Sequence, residues 1–189
     1  SALIFNGLVQ LNGSGDVTPD LAESWSMSDD GLAYIFKLQR NVRWQDGQPS
    51  SADDVIFTIE LMQDPDFPGV PYLSTLWQTV TIERLDDYTI RFILPEPFPS
   101  FVDYATIGVL PKHLLEDMPA RDLLNHPFNL SPIGTGPFKL DEVNATFARL
   151  SANPFYRGTK PRLSQVELRF FPSYQETIAA YQAGEVQGI

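Results

Sequence analysis

The sequence predicts an α+β fold, in which short antiparallel strands and helices follow one another along the chain. Two hairpin-like stretches with alternating apolar residues, one capped amphipathic helix and a later group of strands support this prediction. The chain has 189 residues, of which 43% are hydrophobic, so general disorder is excluded. No apolar run approaches the roughly 18–20 residues of a membrane span.

The first hairpin is predicted from residues 24–27 and 33–38, which flank an Asp-Gly turn at residues 29–31. Glycine supplies the turn because it accepts positive φ angles without a steric penalty. Tyr34 and Phe36 share one face of the second strand, since successive strand residues point to opposite faces. That face is expected to be buried.

A helix is predicted to begin after Ser51 and to end at Asp64, before Pro65. Ser51 is a suitable N-cap, and Asp54 stands near the third helical position, where the helix dipole favours negative charge. The apolar residues that follow recur on one helical face; they are Val55, Ile56, Ile59 and Met62.

Residues 64–75 are predicted to form a loop, because prolines stand at positions 65, 68 and 71. A second hairpin is expected from Val80 to Leu94, with its turn at Asp86 and Asp87. Short helical stretches are expected near the following positions: residues 99–105, 112–117 and 119–125.

Residues 129–137, called the crossing segment here, are rich in Gly, Pro and Ser and are expected to pass between two parts of the fold. Strands are predicted afterwards at residues 137–143, 146–151 and 166–170, followed by a helix at residues 174–183 that Gly184 closes. A further strand is predicted to start at residue 185, which suggests that the sequence is a piece of a longer protein.

The charge distribution and the absence of cysteine exclude several classes of function. Residues 1–130 carry 7 basic and 19 acidic side chains, whereas residues 131–189 carry 6 and 5. Such a chain lacks the clustered Lys and Arg that phosphate-backbone binding requires, so we expect no nucleic-acid partner. Zero cysteines exclude disulfide scaffolds, thiolate metal sites and cysteine nucleophiles.

No motif in the sequence indicates catalysis, a metal or a cofactor. His113 and His126 stand on different predicted elements without metal-type spacing. The acidic pairs fit turn and cap positions better than a facing pair of carboxylates; they lie at residues 29–30, 53–54 and 86–87. The lone Gly134-Thr135-Gly136 precedes a strand rather than a helix, which argues against phosphate binding. Trp77 follows a proline-rich loop, and its local sequence favours a core position.

Seven blocks in order resemble the family 5 extracellular solute-binding proteins, which serve peptide, dipeptide and nickel ABC importers. They are LAESW at 21–25 with the hairpin that follows, VRWQDGQP at 42–49 with SADDV at 51–55, DYTI at 87–90 with PEP at 95–97, VLPKHLL at 109–115, PIGTGPFKL at 132–140, NPFY at 153–156 and AGEV at 183–186. Any one block is weak, but their order along nearly the whole chain makes the resemblance specific.

The resemblance implies a fragment of a periplasmic binding protein of type II-like fold. Residues 12–130 would form a small α+β subdomain, and residues 1–11 and 131–189 part of the first lobe core. The second lobe, which closes over the ligand by a hinge motion, would be absent. The chain alone is therefore expected to bind peptide far more weakly than its parent.

The implied function is the capture of oligopeptides or dipeptides for a membrane permease, outside the cytoplasm and without enzymatic activity or cofactor. Membrane attachment would come only through a lipid anchor outside the chain. Trp77, Tyr104 and Thr106 are the implied ligand-binding residues, and Trp77 is expected to be partly exposed at the cleft. No arginine stands between Arg91 and Arg121, so the arginine that some relatives place beside Tyr104 is missing. Two alternatives remain open: a ligand-sensing domain of a transcriptional regulator, and a carbohydrate-binding or glycoside-hydrolysing domain.

Overall fold

The computed structural model describes residues 2–69 and 71–189. The strands are β1 Val9–Leu11, β2 Val17–Pro19, β3 Ala22–Met27, β4 Ala33–Leu38, β5 Thr81–Asp86, β6 Thr89–Ile93, β7 Phe138–Val143, β8 Phe147–Ala152 and β9 Gln165–Arg169. The α-helices are α1 Ala52–Gln63, α2 Pro71–Gln78, α3 Phe101–Tyr104, α4 Lys112–Leu115 and α5 Tyr174–Gln182, and two 3-10 helices span Ala120–Asn125 and Pro127–Leu130.

The strands form three antiparallel sheets. A four-stranded sheet has the order β3-β4-β6-β5, a three-stranded sheet has the order β7-β8-β9, and β1 pairs with β2. Both predicted hairpins are confirmed, because β3 pairs with β4 and β5 pairs with β6. Gly31 closes the first hairpin with φ of 71°, the left-handed conformation that favours glycine.

Helix α1 begins as predicted, with a capping box at its N-terminus. The backbone N–H of Asp53 donates to Ser51 Oγ, while the backbone N–H of Ser51 donates to Asp54 Oδ2 at 2.9 Å. These bonds satisfy donors that the first helical turn leaves without partners. The last helical residue is Gln63, and Asp64 is the C-cap immediately before Pro65, where the sequence predicts the end of the helix.

The main hydrophobic core lies between helix α1 and the four-stranded sheet. Tyr34 and Phe36 of β4 are buried, as the alternation predicts, and Phe36 contacts Phe92 of β6 with ring centroids 5.6 Å apart. A smaller, separate cluster contains Phe138, Ala148 and Leu150 of the three-stranded sheet. Of the N-terminal residues, Leu8 and Val9 belong to the larger cluster and Ile4 packs against the smaller one.

Two predictions of secondary structure are wrong. The predicted loop at residues 64–75 overlaps helix α2, which begins at Pro71. A proline that follows a loop fits the first helical position, where its missing N–H has no helical partner anyway, so this proline starts the helix. The strand expected from residue 185 is also not formed: residues 185–189 have no strand assignment.

Candidate functional site

The N-terminal residues 3–9 hold two other parts of the chain together through backbone hydrogen bonds. On one side, Leu8 N donates to Ala105 O at 2.9 Å and Val109 N donates to Asn6 O at 2.9 Å. On the other side, Gly136 N donates to Ile4 O at 2.8 Å. Residues 104–108 and the crossing segment are therefore both held by the backbone of residues 3–9, although the three segments are separated in sequence.

Glycines permit the close approach of these backbones. A Cβ atom on Gly7 would stand 2.7 Å from the carbonyl carbon of Thr106, and one on Gly134 would stand 1.9 Å from Ile4 O. Both distances are shorter than van der Waals contact with backbone atoms that have little freedom to move. Gly134 and Gly136 lie where the crossing segment meets the N-terminal residues, and its predicted passage between two parts of the fold stays a prediction.

Within residues 104–108, Tyr104, Thr106 and Ile107 reach the surface, whereas Ala105 is buried. Tyr104 is half-buried against Phe98, with ring centroids 5.5 Å apart. Thr106 is exposed, and its hydroxyl donates to Asp103 O at 2.7 Å. The structure thus places both predicted residues on one surface segment. A ligand there would meet an aromatic ring and a hydroxyl.

Phe5 and Phe128 extend this surface, and neither was anticipated from the sequence. Their ring centroids lie 6.2 Å apart. A Cβ atom on Gly108 would stand 2.8 Å from Phe5 Cβ, so Phe5 packs directly against the end of the 104–108 segment. The sequence holds no signal for this contact because Phe5 and Phe128 are 123 positions apart.

Trp77 does not belong to this surface. It lies in helix α2 with 0% of its surface exposed, and its ring centroid is 5.6 Å from Phe92 and 5.5 Å from Phe101. The prediction that Trp77 is partly exposed is therefore wrong. Its local sequence favours a core position, and burying the large apolar ring in that core stabilises the fold because its surface is removed from water.

A buried polar cluster joins the N-terminal residues to the loop after β8. Asn6 Nδ2 donates to both carboxylate oxygens of Asp20, at 3.0 and 2.8 Å, and Arg157 donates to the backbone carbonyl of Asp20. Burial raises the pKa of the Asp20 carboxyl, while the Asn6 hydrogen bond and the Arg157 charge act in the opposite direction. Burial also raises the pKa of Tyr156, and the nearby Asp20 charge adds to that shift.

Both histidines, and one carboxylate in each of the acidic pairs at 53–54 and 86–87, make polar contacts with other groups of the fold. His113 Nε2 lies 2.7 Å from Asp46 Oδ2, and His126 Nδ1 accepts from Phe128 N at 3.2 Å. Asp54 caps helix α1, and Asp86 accepts from the backbone N–H of Tyr88 in the second hairpin turn. Among residues 2–69 and 71–189, no three His, Cys, Asp or Glu side chains are grouped to hold a metal ion.

The sequence pattern described as "Bacterial extracellular solute-binding proteins, family 5 Middle" matches residues 16–189. The chain belongs to this family. The family is one of solute-binding proteins, and the mixed α and β fold agrees with the predicted class. No helix in the described part of the chain is both long enough and apolar enough to cross a membrane.

Two relatives in this family are similar along nearly all of the chain. The oligopeptide-binding protein AppA of Bacillus subtilis is 33% identical over 188 residues, which are 97% of this chain and 34% of AppA. The dipeptide-binding protein of Escherichia coli is 30% identical over 215 residues, covering 99% of this chain and 39% of the relative. The chain thus spans little more than a third of their length.

Solved structures of the family have the same fold in the matched part. The structure of Bacillus subtilis AppA in complex with a nonapeptide has a TM-score of 0.90 at 30% identity. NikZ from Campylobacter jejuni in complex with Ni(L-His) also has a TM-score of 0.90, at 32% identity. Each match covers 98% of this chain and 37% of the solved chain. The periplasmic binding protein fold predicted from the sequence is therefore confirmed for the part of it that the chain contains.

Proposed function

We propose that the chain is part of the substrate-binding component of an ABC importer that captures oligopeptides or dipeptides and delivers them to a membrane permease. The observation that carries this proposal is the similarity, along 98% of the chain, to AppA in complex with a nonapeptide. The relatives named as oligopeptide- and dipeptide-binding proteins support the same class of ligand.

The chain forms one wall of a two-walled site in this proposal. Residues 12–130 make up the small α+β subdomain, and residues 1–11 and 131–189 belong to the core of the first lobe. The separate cluster of Phe138, Ala148 and Leu150, with Ile4 packed against it, supports this division, whereas Leu8 and Val9 pack in the larger cluster with the subdomain. The second wall comes from the part of the relatives that the chain does not cover, which is more than half of their length.

Tyr104 and Thr106 are the residues that we assign to the ligand. Both lie on a surface segment, and a peptide N–H can donate to the oxygen of the Thr106 hydroxyl, whose own hydrogen is donated to Asp103 O. An aromatic ring beside it supplies apolar contact that tolerates different side chains. Phe5 and Phe128 are added to this surface because they continue it. Trp77 is left out, because a side chain without exposed surface cannot contact a ligand unless the core rearranges.

The proposed protein acts outside the cytoplasm, in the periplasm or at the outer face of the cell membrane, and without catalysis. A lipid anchor, if present, lies outside residues 1–189. Its partners are a peptide and the permease.

Isothermal titration calorimetry on the full-length protein tests this function. Trialanine and pentaalanine are the peptide probes, and a nickel–histidine complex is the competing class, since NikZ is equally similar in fold. Saturable binding of a peptide supports the proposal, and the Thr106→Val and Tyr104→Ala variants should weaken it. Binding of nickel–histidine alone would contradict the peptide assignment.

A further inference from the structure

Gln45 connects the α+β subdomain to Gly134 of the crossing segment and to Phe138, the first residue of β7, through three hydrogen bonds. Its backbone N–H donates to Gly134 O at 3.0 Å, its side-chain Oε1 accepts from Gly134 N at 3.0 Å, and its Nε2 donates to Phe138 O at 2.8 Å. One half-buried side chain therefore binds both ends of a five-residue stretch. These contacts span 89 and 93 positions in sequence.

The loop that carries Gln45 is itself fixed on both sides. The preceding residue, Trp44, has 0% of its surface exposed, and the following residue, Asp46, contacts His113 Nε2 at 2.7 Å. Gly47 adopts φ of 90°, which closes the turn. Gln45 thus extends from a turn whose backbone is already ordered, so its binding to the crossing segment costs side-chain but no additional backbone conformational entropy.

The crossing segment in turn supports the surface that contains Tyr104 and Thr106. Gly136 N and Phe138 N donate to Ile4 O and Leu3 O, at 2.8 and 2.9 Å. The N-terminal residues then support the 104–108 segment through the Leu8 to Ala105 and Val109 to Asn6 bonds. Because these backbones touch at glycines without free space, a shift of the crossing segment moves the N-terminal residues as well.

We infer that Gln45 is a positioning residue for ligand binding: it fixes the crossing segment, and through residues 3–9 it sets the position of Tyr104 and Thr106. The inference rests on the proposed function only in taking a peptide as the ligand. The connection from Gln45 to residues 104–108 does not depend on that function. A glutamine suits the task because its amide offers one acceptor and one donor at the same time. A glutamate at this position would keep the acceptor for Gly134 N but would have no donor for Phe138 O.

Gln63 provides a matched control. Its Nε2 donates to Trp77 O at 2.8 Å and to Val80 O at 2.7 Å, so it also makes two side-chain bonds to backbone groups from a half-buried position. Those bonds lie within the α+β subdomain and do not involve the crossing segment. Gln63→Leu removes hydrogen bonds of the same kind as Gln45→Leu, at a site that the inference excludes.

Hydrogen–deuterium exchange and trialanine calorimetry on the full-length protein test the inference with Gln45→Leu, Gln45→Glu and Gln63→Leu. We expect Gln45→Leu to raise amide exchange in residues 104–109 and to raise the Kd for trialanine about tenfold, the ratio that corresponds to one lost net hydrogen bond. Gln45→Glu should do the same to a smaller extent. Gln63→Leu should lower the melting temperature similarly but leave exchange in residues 104–109 and the Kd unchanged.

Two results would overturn the inference. Unchanged exchange in residues 104–109 of Gln45→Leu would show that the connection does not transmit position, whatever the ligand. Equal effects of Gln45→Leu and Gln63→Leu on the Kd would show that Gln45 acts only through stability. If the wild type fails to bind trialanine while exchange rises in the Gln45 variants alone, the proposed ligand is wrong but the positioning role of Gln45 is supported.

Discussion

Gly134→Ala is the substitution for which the structure makes the sharpest stability prediction. The added Cβ would stand 1.9 Å from Ile4 O and 2.7 Å from Ile4 C, both backbone atoms. A carbon–oxygen contact needs about 3.3 Å, so Ile4 must move by about 1.4 Å. The φ angle of Gly134 is not positive, so the penalty is steric rather than conformational.

That movement breaks backbone hydrogen bonds that the neighbouring residues make. The bond from Gly136 N to Ile4 O is 2.8 Å long, and an added displacement of this size takes it beyond the hydrogen-bond range of about 3.2 Å. Losing this bond and weakening the one from Phe138 N to Leu3 O destabilises the fold by about 3 kcal/mol. For a chain of this size, that corresponds to a decrease in melting temperature of about 6–12 °C.

Thermal unfolding followed by circular dichroism measures this decrease. Gly13→Ala is the control, because a Cβ atom there has no heavy atom within 4 Å and the φ angle is not positive. The control should change stability by less than about 0.5 kcal/mol. A melting temperature of Gly134→Ala within 2 °C of the Gly13→Ala value would refute the argument, since it would show that the crossing segment and Ile4 are loosely packed.

Substitutions at three further positions have expected outcomes. Trp77→Ala should destabilise the fold by about 3–5 kcal/mol in urea unfolding, and Trp77→Phe should leave peptide affinity unchanged, because the ring is in the core rather than at the ligand surface. Ser51→Ala should lower the unfolding free energy by about 1 kcal/mol through the lost cap, and an unchanged midpoint would contradict the capping box. Burial raises the pKa of Asp54 above its ordinary 3.8, so the folded state holds this proton to higher pH than the unfolded chain and loses stability as the pH rises through the folded pKa. The unfolding free energy of Asp54→Asn relative to wild type should therefore increase from pH 4 towards pH 7, and a difference that stays constant with pH would count against the raised pKa.

The parts of the fold with strong local patterns could be predicted from the sequence. Alternating apolar residues in β4 and β6, glycine in the turn at Gly31 and the serine cap of helix α1 each specify their structure within a few residues. The sequence does not predict helix α2, because Pro71 ends a run of prolines that indicates a loop, although the same residue type is favourable at the first position of a helix.

The candidate site could be predicted only in part. Tyr104 and Thr106 lie on one surface segment, but the neighbouring Phe5 and Phe128 come from distant parts of the chain. The hydrogen bonds that hold this surface in place also join distant positions. Asn6 N, for example, donates to Thr135 Oγ1, 129 positions away in sequence. Contacts of this kind depend on how the elements pack, and no local periodicity or turn signal encodes them. The family resemblance places Trp77 at the cleft, whereas its local sequence places it in the core, and the structure agrees with the local sequence.

Trialanine calorimetry on two forms of the protein, the full-length chain and residues 1–189, tests most directly whether the chain is one wall of a two-walled peptide site. Sites that bind tightly bury roughly 70–90% of the ligand surface, and a single wall leaves much of it in water. Losing about 4 kcal/mol of contacts raises the Kd roughly a thousandfold, so residues 1–189 should bind at least that much more weakly. Circular dichroism must first show that residues 1–189 are folded. Equal affinity of the two forms would contradict the account, because the whole site would then lie within residues 1–189.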